Sequence, residues 1–207
     1  MEFAGAESEP GTARPGGRTA RVRAAVLRAA GDVLAEQGFA HLDLADIARR
    51  ADVGKTTVYR RWGTVAGLVT DLLHDMAQQS VPRTETGSLL GDLTANARLV
   101  QRTLADSRQG PLFKAVIAAA TGDPGTAEAL HGFYAARVEE WAPCVEGAVA
   151  RGEAPEGTDP YEVVRAASAP LYYRLLTTGL PLDEASADRA AAAATAAARA
   201  GAYVRGR

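Results

Sequence analysis

The sequence predicts an all-α protein, and three observations lead there. Of its 207 residues 45 are Ala and only two are Ile. Ala is the strongest helix former, whereas strands draw on the β-branched and aromatic residues that are scarce here. Only 52 of the 97 nominal hydrophobics are large enough to fill a thick core, so thin helices packed closely are expected and sheet architectures are not. Past residue 18, apolar positions recur at helical spacing along most of the chain.

Each element has its own signature. Residues 1–18 place Gly11, Pro15, Gly16 and Gly17 among small and charged residues without an apolar period, and are expected as a flexible tail. Thr19 is the expected N-cap of a first helix in which Val22, Val26, Ala29, Ala30, Val33 and Leu34 share a face, stopped by Gly38. A short second helix opens on Asp43 as N-cap, sets Asp46 in the acid-favouring first turn and buries Leu44, Ile47, Ala48 and Ala51. Asp52-Val53-Gly54 leaves room only for a tight turn. The third helix, 55–62, turns Val58 and Trp62 inward and leaves Lys55, Thr56, Thr57, Tyr59, Arg60 and Arg61 outside. Gly63-Thr64 ends it, and a long fourth helix carries Leu68, Val69, Leu72, Leu73 and Met76 on one stripe as far as Pro82. Further helices are expected near 88–106, 111–121, 125–151, 160–178 and 184–204, about nine in all. Asp159, Pro160 and Glu162 have the spacing of a capping box with Pro at the first helical position, and Gly152 marks a helix end. Pro143 and Pro170 fall inside helical patterns, where each is expected to kink or break its helix.

The net charge of −2 conceals a division. Residues 18–62 carry nine Lys and Arg against five Asp and Glu, while residues 63–207 carry thirteen against seventeen. A basic front on an acidic body suits a polyanion-facing module joined to something else. The single Cys144 excludes an internal disulfide and a cysteine-rich zinc site. With no signal-peptide core and no run of large apolar residues long enough to span a membrane, a cytoplasmic protein without membrane partner is expected.

Two short helices joined by a tight turn containing Gly, the second exposing a row of hydrogen-bond donors, have the form of a helix-turn-helix. Its second helix enters the major groove with N-terminal side chains toward base edges. Lys55, Thr56 and Thr57 occupy that end; Lys can donate to guanine and Thr can meet a thymine methyl. Tyr59, Arg60 and Arg61 lie a turn later, placed to hold phosphates, and Arg18, Arg21 and Arg23 can add phosphate contacts.

The run Gly38-Phe39-Ala40-His41-Leu42-Asp43-Leu44-Ala45-Asp46-Ile47-Ala48, then Ala51-Asp52-Val53-Gly54-Lys55-Thr56-Thr57-Val58-Tyr59-Arg60-Arg61-Trp62 and Leu68, resembles the DNA-binding domain of tetracycline-repressor (TetR) type regulators over residues 19–75. The resemblance implies a helix-turn-helix domain over 19–63 and a helical ligand-binding and dimerisation domain over 64–207. It also implies a homodimer, probed by double-stranded operator DNA on one side and a small-molecule ligand on the other. Carried over, Lys55, Thr56 and Thr57 fall at base-facing positions, Tyr59 at the phosphate-binding tyrosine, and Arg60 and Arg61 at flanking contacts. Three positions depart from the pattern. Asp43 replaces a frequent Thr, Gly54 a frequent Ser and Val65 the usual Lys, which removes a hydroxyl cap and a phosphate contact and implies weaker or more salt-sensitive binding. The segment Arg151-Gly152-Glu153, Asp159-Pro160 and Pro170 to Gly179 is similar to the late helices that build a four-helix dimer interface in the family. The Ala-rich last helix suits close packing there.

The bulky groups available to line a pocket are Phe113, Val116, Ile117, Phe133, Tyr134, Trp141, Tyr172 and Leu176, of which about half are expected to touch a cavity. Few charges interrupt these segments beyond Lys114, Arg137, Glu139 and Glu140, so a neutral, largely apolar ligand is expected. Asp71, His74 and Asp75 share a helix face at metal-ligand spacing, but no second cluster completes a shell, and neither metal nor cofactor is expected. His41 and His131 are isolated, and no phosphate loop, HExxH, GxSxG or CxxC occurs. A regulator, most often a repressor, and not an enzyme, is the reading. Its alternative is a helical small-molecule-binding protein or enzyme whose basic front serves something other than DNA.

Overall fold

A computed structural model describes residues 16–80 and 82–206. Among these residues the chain forms nine α-helices and no named strand. The first, α1 (Gly16–Gln37), starts three residues ahead of the Thr19 cap expected from the sequence, so Gly16, Gly17 and Arg18 are helical; the rest of the expected tail, 1–15, lies outside the described residues. A 3-10 turn at Phe39–His41 leads into α2 (Leu44–Arg50). Asp43 caps α2 by accepting from the backbone N–H of Ala45 and Asp46, both at 2.9 Å, so the Asp does the work of the Thr it replaces.

The turn into α3 (Lys55–Trp62) is a Schellman motif: Val53 N–H reaches Ala48 O and Asp52 N–H reaches Arg49 O. Asp52 takes the left-handed position at φ 53°, which Asp tolerates better than most residues. Gly54 caps α3 without a side-chain hydrogen bond, as expected from the missing hydroxyl. Then α4 (Val65–Gln79) opens on Thr64, whose hydroxyl accepts from Gly67 N–H.

The remaining helices are α5 (Leu89–Ala105), α6 (Gln109–Ala120), α7 (Pro124–Ala150), α8 (Pro160–Tyr173) and α9 (Glu184–Arg199). Pro143 does not break α7. The carbonyl it leaves without a donor belongs to Glu139, an exposed residue whose backbone water can reach. After Pro170, α8 continues into a π-helical turn, Arg174–Thr178, where Thr177 and Thr178 hydroxyls donate to the carbonyls of Tyr173 and Arg174. The last helix ends at Arg199, short of the expected 204, because Gly201 at φ 77° closes a further Schellman motif. The chain then docks on the loop before α8: Asp159 N–H donates to Tyr203 O and Arg205 Nε to Asp159 Oδ2. Asp159 caps α8, but its own N–H is taken by Tyr203 and Glu162 pairs with Arg165, so the expected capping box does not close.

One hydrophobic core runs through all nine helices. α4 packs on α7 and α1, α6 on α1 and α7, and α9 on α5 and α8. At the α4–α7 crossing a Cβ on Gly125 would stand 2.8 Å from that of Ala66, so Gly lets the two helices touch. The Ala run divides by face: Ala190, Ala191, Ala194 and Ala198 are buried, and Ala192, Ala193 and Ala196 are exposed.

Two of the front helices, α1 and α3, are clasped to α4 by polar bonds. Arg23 on α1 donates through Nε and Nη2 to Asp71, at 3.1 and 2.7 Å, and through Nη1 to Asp75. Trp62 on α3 donates its indole Nε1–H to the same Asp71 at 2.9 Å. Arg23 is therefore occupied and is withdrawn from the phosphate contacts expected of it. Asp71 and Asp75 hold a guanidinium; among the described residues no group suited to a metal ion occurs. Burial raises the Asp71 carboxyl pKa, but the Arg23 and Trp62 hydrogen bonds outweigh it and hold the group below the usual carboxylate value.

Two sets of variants test this packing. Because the folded-state pKa of Asp71 is depressed, its stabilisation is present above the unfolded value of 3.8 and is lost as pH falls through the folded one. Asp71→Asn is expected to lower stability by about 1–2 kcal/mol at pH 7 and to flatten the acid limb of stability against pH, measured by urea unfolding. Gly67→Ala is expected to destabilise, since its Cβ would meet Trp62 O at 2.4 Å. Gly132→Ala, in open space on α7, is expected to stabilise by roughly 0.5–1 kcal/mol.

Candidate DNA interface and ligand cavity

Helix α3 has two faces set by its sequence. Val58 and Trp62, one turn apart, are buried; Lys55, Thr56, Tyr59, Arg60 and Arg61 are exposed, and Thr57 is half-buried. Tyr59 is 44 % exposed, so its ring is not part of the core that takes Trp62. No acidic residue lies on α3. The Arg61 guanidinium sits 5.2 Å from the Trp62 ring centroid, a cation–π contact that restrains its stem. Beside the helix-turn-helix turn, Arg18, Arg60 and Arg61 border a surface hollow of about 590 Å³ with Thr57, Gly54 and Asp52. Three guanidiniums around one concavity favour an anion, with Asp52 the opposing charge. Arg18, placed by sequence in the tail, thus joins α3 through the first turn of α1.

A second concavity, about 350 Å³, lies within the helices behind. Of the eight residues expected to line it, Phe113, Phe133, Tyr134 and Tyr172 do. Their rings form a ladder with successive centroid distances of 5.5, 5.4 and 5.2 Å. The other four do not line it. Val116 and Trp141 are closed into the core, Ile117 packs against it, and Leu176 is 46 % exposed on the π turn. The lining missed by sequence is largely polar: Gln79, Asn96, Thr103, Arg108, Gln109, Arg137 and Ser168, with Met76 and Val138 among the apolar members. Sequence reasoning sought bulky apolar groups, and these residues carried no such signal. With Leu99, Val100 and Val164 also in the wall, the lining as a whole mixes apolar and polar residues in about equal number.

Two residues of this wall carry buried hydrogen-bonding groups that are unmet. Asn96 is 5 % exposed and its Oδ1 has no partner, and the Tyr134 hydroxyl has none either. Burial pushes the Tyr172 hydroxyl pKa up to about 12 and that of Tyr134 upward as well, so both stay protonated at neutral pH. Arg108, just before α6, reaches out of the cavity wall to α1: its Nε donates to Asp32 at 2.7 Å and its Nη2 to Arg28 O at 3.1 Å. The guanidinium fits there because residue 31 is Gly, whose absent Cβ would lie 2.6 Å from Nη2.

Comparison with known proteins bears on both regions. Residues 26–72 match the family described as bacterial regulatory proteins, tetR family, and residues 83–194 match the tetracyclin repressor-like C-terminal domain. An HTH-type transcriptional regulator of Bacillus subtilis, YdeS, is 33 % identical over 156 residues, 75 % of this chain and 78 % of that protein. The DNA-binding transcriptional repressor TetR of Mycobacteroides abscessus is 33 % identical over 165 residues, 78 % and 85 % of the two chains. Among solved structures, the TetR family transcription regulator SCO0332 is similar with a TM-score of 0.68 and 28 % identity, over 85 % of this chain and 97 % of that one. These relatives are transcription regulators and not enzymes. No described helix is long and apolar enough to cross a membrane. The chain is a TetR-family transcriptional regulator with an N-terminal helix-turn-helix DNA-binding domain.

Proposed function

We propose that this regulator is a cytoplasmic repressor that binds a pseudo-palindromic operator as a homodimer and leaves it when a small molecule enters the 350 Å³ cavity. In this reading residues 19–63 read DNA, and residues 64–207 bind ligand and dimerise. The carrying observation is the exposed, acid-free face of α3. Lys55, Thr56 and Thr57 at its N-terminal end face base edges; Tyr59, Arg60 and Arg61 hold phosphates. The repressor reading has support in the name of the Mycobacteroides abscessus relative.

The dimer surface proposed is the outer face of α8 and α9. Tyr173 is 65 % exposed, with Leu176 and Leu180 beside it in sequence and the open Ala192, Ala193 and Ala196 on α9. A large apolar face of this kind is expected to be covered. Ligand acts through its differential affinity for the DNA-competent and released arrangements. The physical route available is the cavity wall itself, since Met76 and Gln79 belong to α4 and Arg108 is bonded to α1.

In gel shifts against sites selected from random duplex, Arg60→Ala is expected to weaken binding at all sites and to lower the salt slope by about one. Tyr59→Phe is expected to weaken it with a smaller change in slope. Failure of the wild type to select any sequence overturns the reading. Tyr173→Glu combined with Leu176→Glu is expected to convert the dimer to a monomer in light scattering; an unchanged mass rejects the proposed surface.

A further inference from the structure

The cavity specifies more about its occupant than size. Its lining includes Arg108 and Arg137 and, among the described residues, no Asp or Glu. Arg137 is the more sheltered, with a side chain 16 % exposed. It donates through Nη1 to Glu140 one turn along α7, and its Nε and Nη2 make no hydrogen bond among the described residues. A guanidinium presents five N–H donors in a planar fork and accepts a second carboxylate on its free edge. A mostly buried guanidinium with an unused edge is a seat for an anionic acceptor, with charge-assisted bonds stronger than neutral ones.

The rest of the wall adds two requirements. The ladder of Phe113, Phe133, Tyr134 and Tyr172 offers edges and faces at the 5–6 Å spacings that aromatic rings adopt with one another. The Asn96 side-chain amide makes no hydrogen bond among the described residues, so it is free to turn its buried, unpartnered Oδ1 toward an occupant that carries a hydrogen-bond donor. A volume of about 350 Å³ lies at the small end of ligand sites.

Resting on the ligand-released reading above, we propose that the cavity binds a small aromatic carboxylic acid that also carries a hydrogen-bond donor. Its ring lies against the aromatic ladder, its carboxylate takes the free edge of Arg137, and its donor meets Asn96 Oδ1. A cationic ligand would face Arg137 without a lining carboxylate to receive it.

Isothermal titration of the full chain with four matched probes tests this, without DNA. The probes are 4-hydroxycinnamate, its methyl ester, cinnamate and tyramine. The hydroxy acid is expected to bind tightest, the ester at least about tenfold weaker and cinnamate about fivefold weaker, with no binding of tyramine. Arg137→Gln is expected to bring the acid-to-ester ratio close to one, and Asn96→Leu to erase the gap between hydroxycinnamate and cinnamate. Each is a ratio within one protein, so a general loss of stability does not mimic it. Arg102→Gln, at an exposed position on α5 outside the cavity, is expected to keep both ratios. Equal or tighter binding of the ester, binding of tyramine, or no heat from the acid at millimolar concentration overturns the proposal. Operator gel shifts with and without the acid separate the two readings. An acid that binds but leaves the shift unchanged contradicts ligand release and preserves the ligand class. A sequence-specific shift by a protein that does not bind the acid preserves DNA binding and rejects the ligand class.

Discussion

A single carboxylate, Asp71, sets the geometry of the front of this molecule. It receives the Arg23 guanidinium from α1 and the Trp62 indole N–H from α3 while itself standing on α4. The arrangement matters because α3 has eight residues and buries only Val58 and Trp62. A helix of that length has little stability of its own, so its position is dictated by what its buried side chains hold. Trp62 fixes α3 by its ring in the core and by its one polar atom on Asp71. With the inward side so tied, Lys55, Thr56, Tyr59 and Arg60 project as one rigid row, which a base-reading helix requires. The partly buried network also lies behind the depressed Asp71 pKa, where hydrogen bonds overcome burial.

That clasp places α4 between the helix-turn-helix and the cavity. Its N-terminal half touches α7 at the Ala66–Gly125 crossing, and its C-terminal residues Met76 and Gln79 form cavity wall. A second connection runs from the wall through Arg108 to Asp32 and the Arg28 carbonyl on α1. α4, which carries Asp71, therefore lines the cavity directly, and α1, which meets Asp71 through Arg23, is bonded to one of the lining residues. Packed interiors shift between discrete arrangements and do not deform smoothly, so in the proposed ligand response a bound molecule that moved either connection would alter the setting of α3 as a unit.

The helices were largely legible because local chemistry marks them. Asp43, Asp159 and the Val58–Trp62 spacing each gave a cap or a buried face that the structure contains. What escaped were features that depend on distant partners. Nothing near Arg23 announces Asp71, 48 residues on, so Arg23 read as one more DNA-facing cation. Glu162 lost its capping role to Tyr203, which returns from the far end of the chain. The cavity was half legible. Aromatic rings on α6, α7 and α8 were found by bulk, whereas Asn96 and Arg137 are ordinary polar residues of amphipathic helices until the packing turns them inward. Leu176 was misplaced because the π turn rotates it out of the helical register that would have carried it in.

The most direct test of the clasp uses Trp62→Phe, which keeps an aromatic ring and the net charge, removes the donor to Asp71 and trims part of the buried ring. The quantity to measure is the ratio of affinities for a selected operator and for unrelated duplex, at one salt concentration. If Asp71 orients the reading helix through Trp62, operator affinity falls by about 1 kcal/mol, roughly fivefold, while affinity for unrelated duplex stays level. An unchanged ratio would contradict the account.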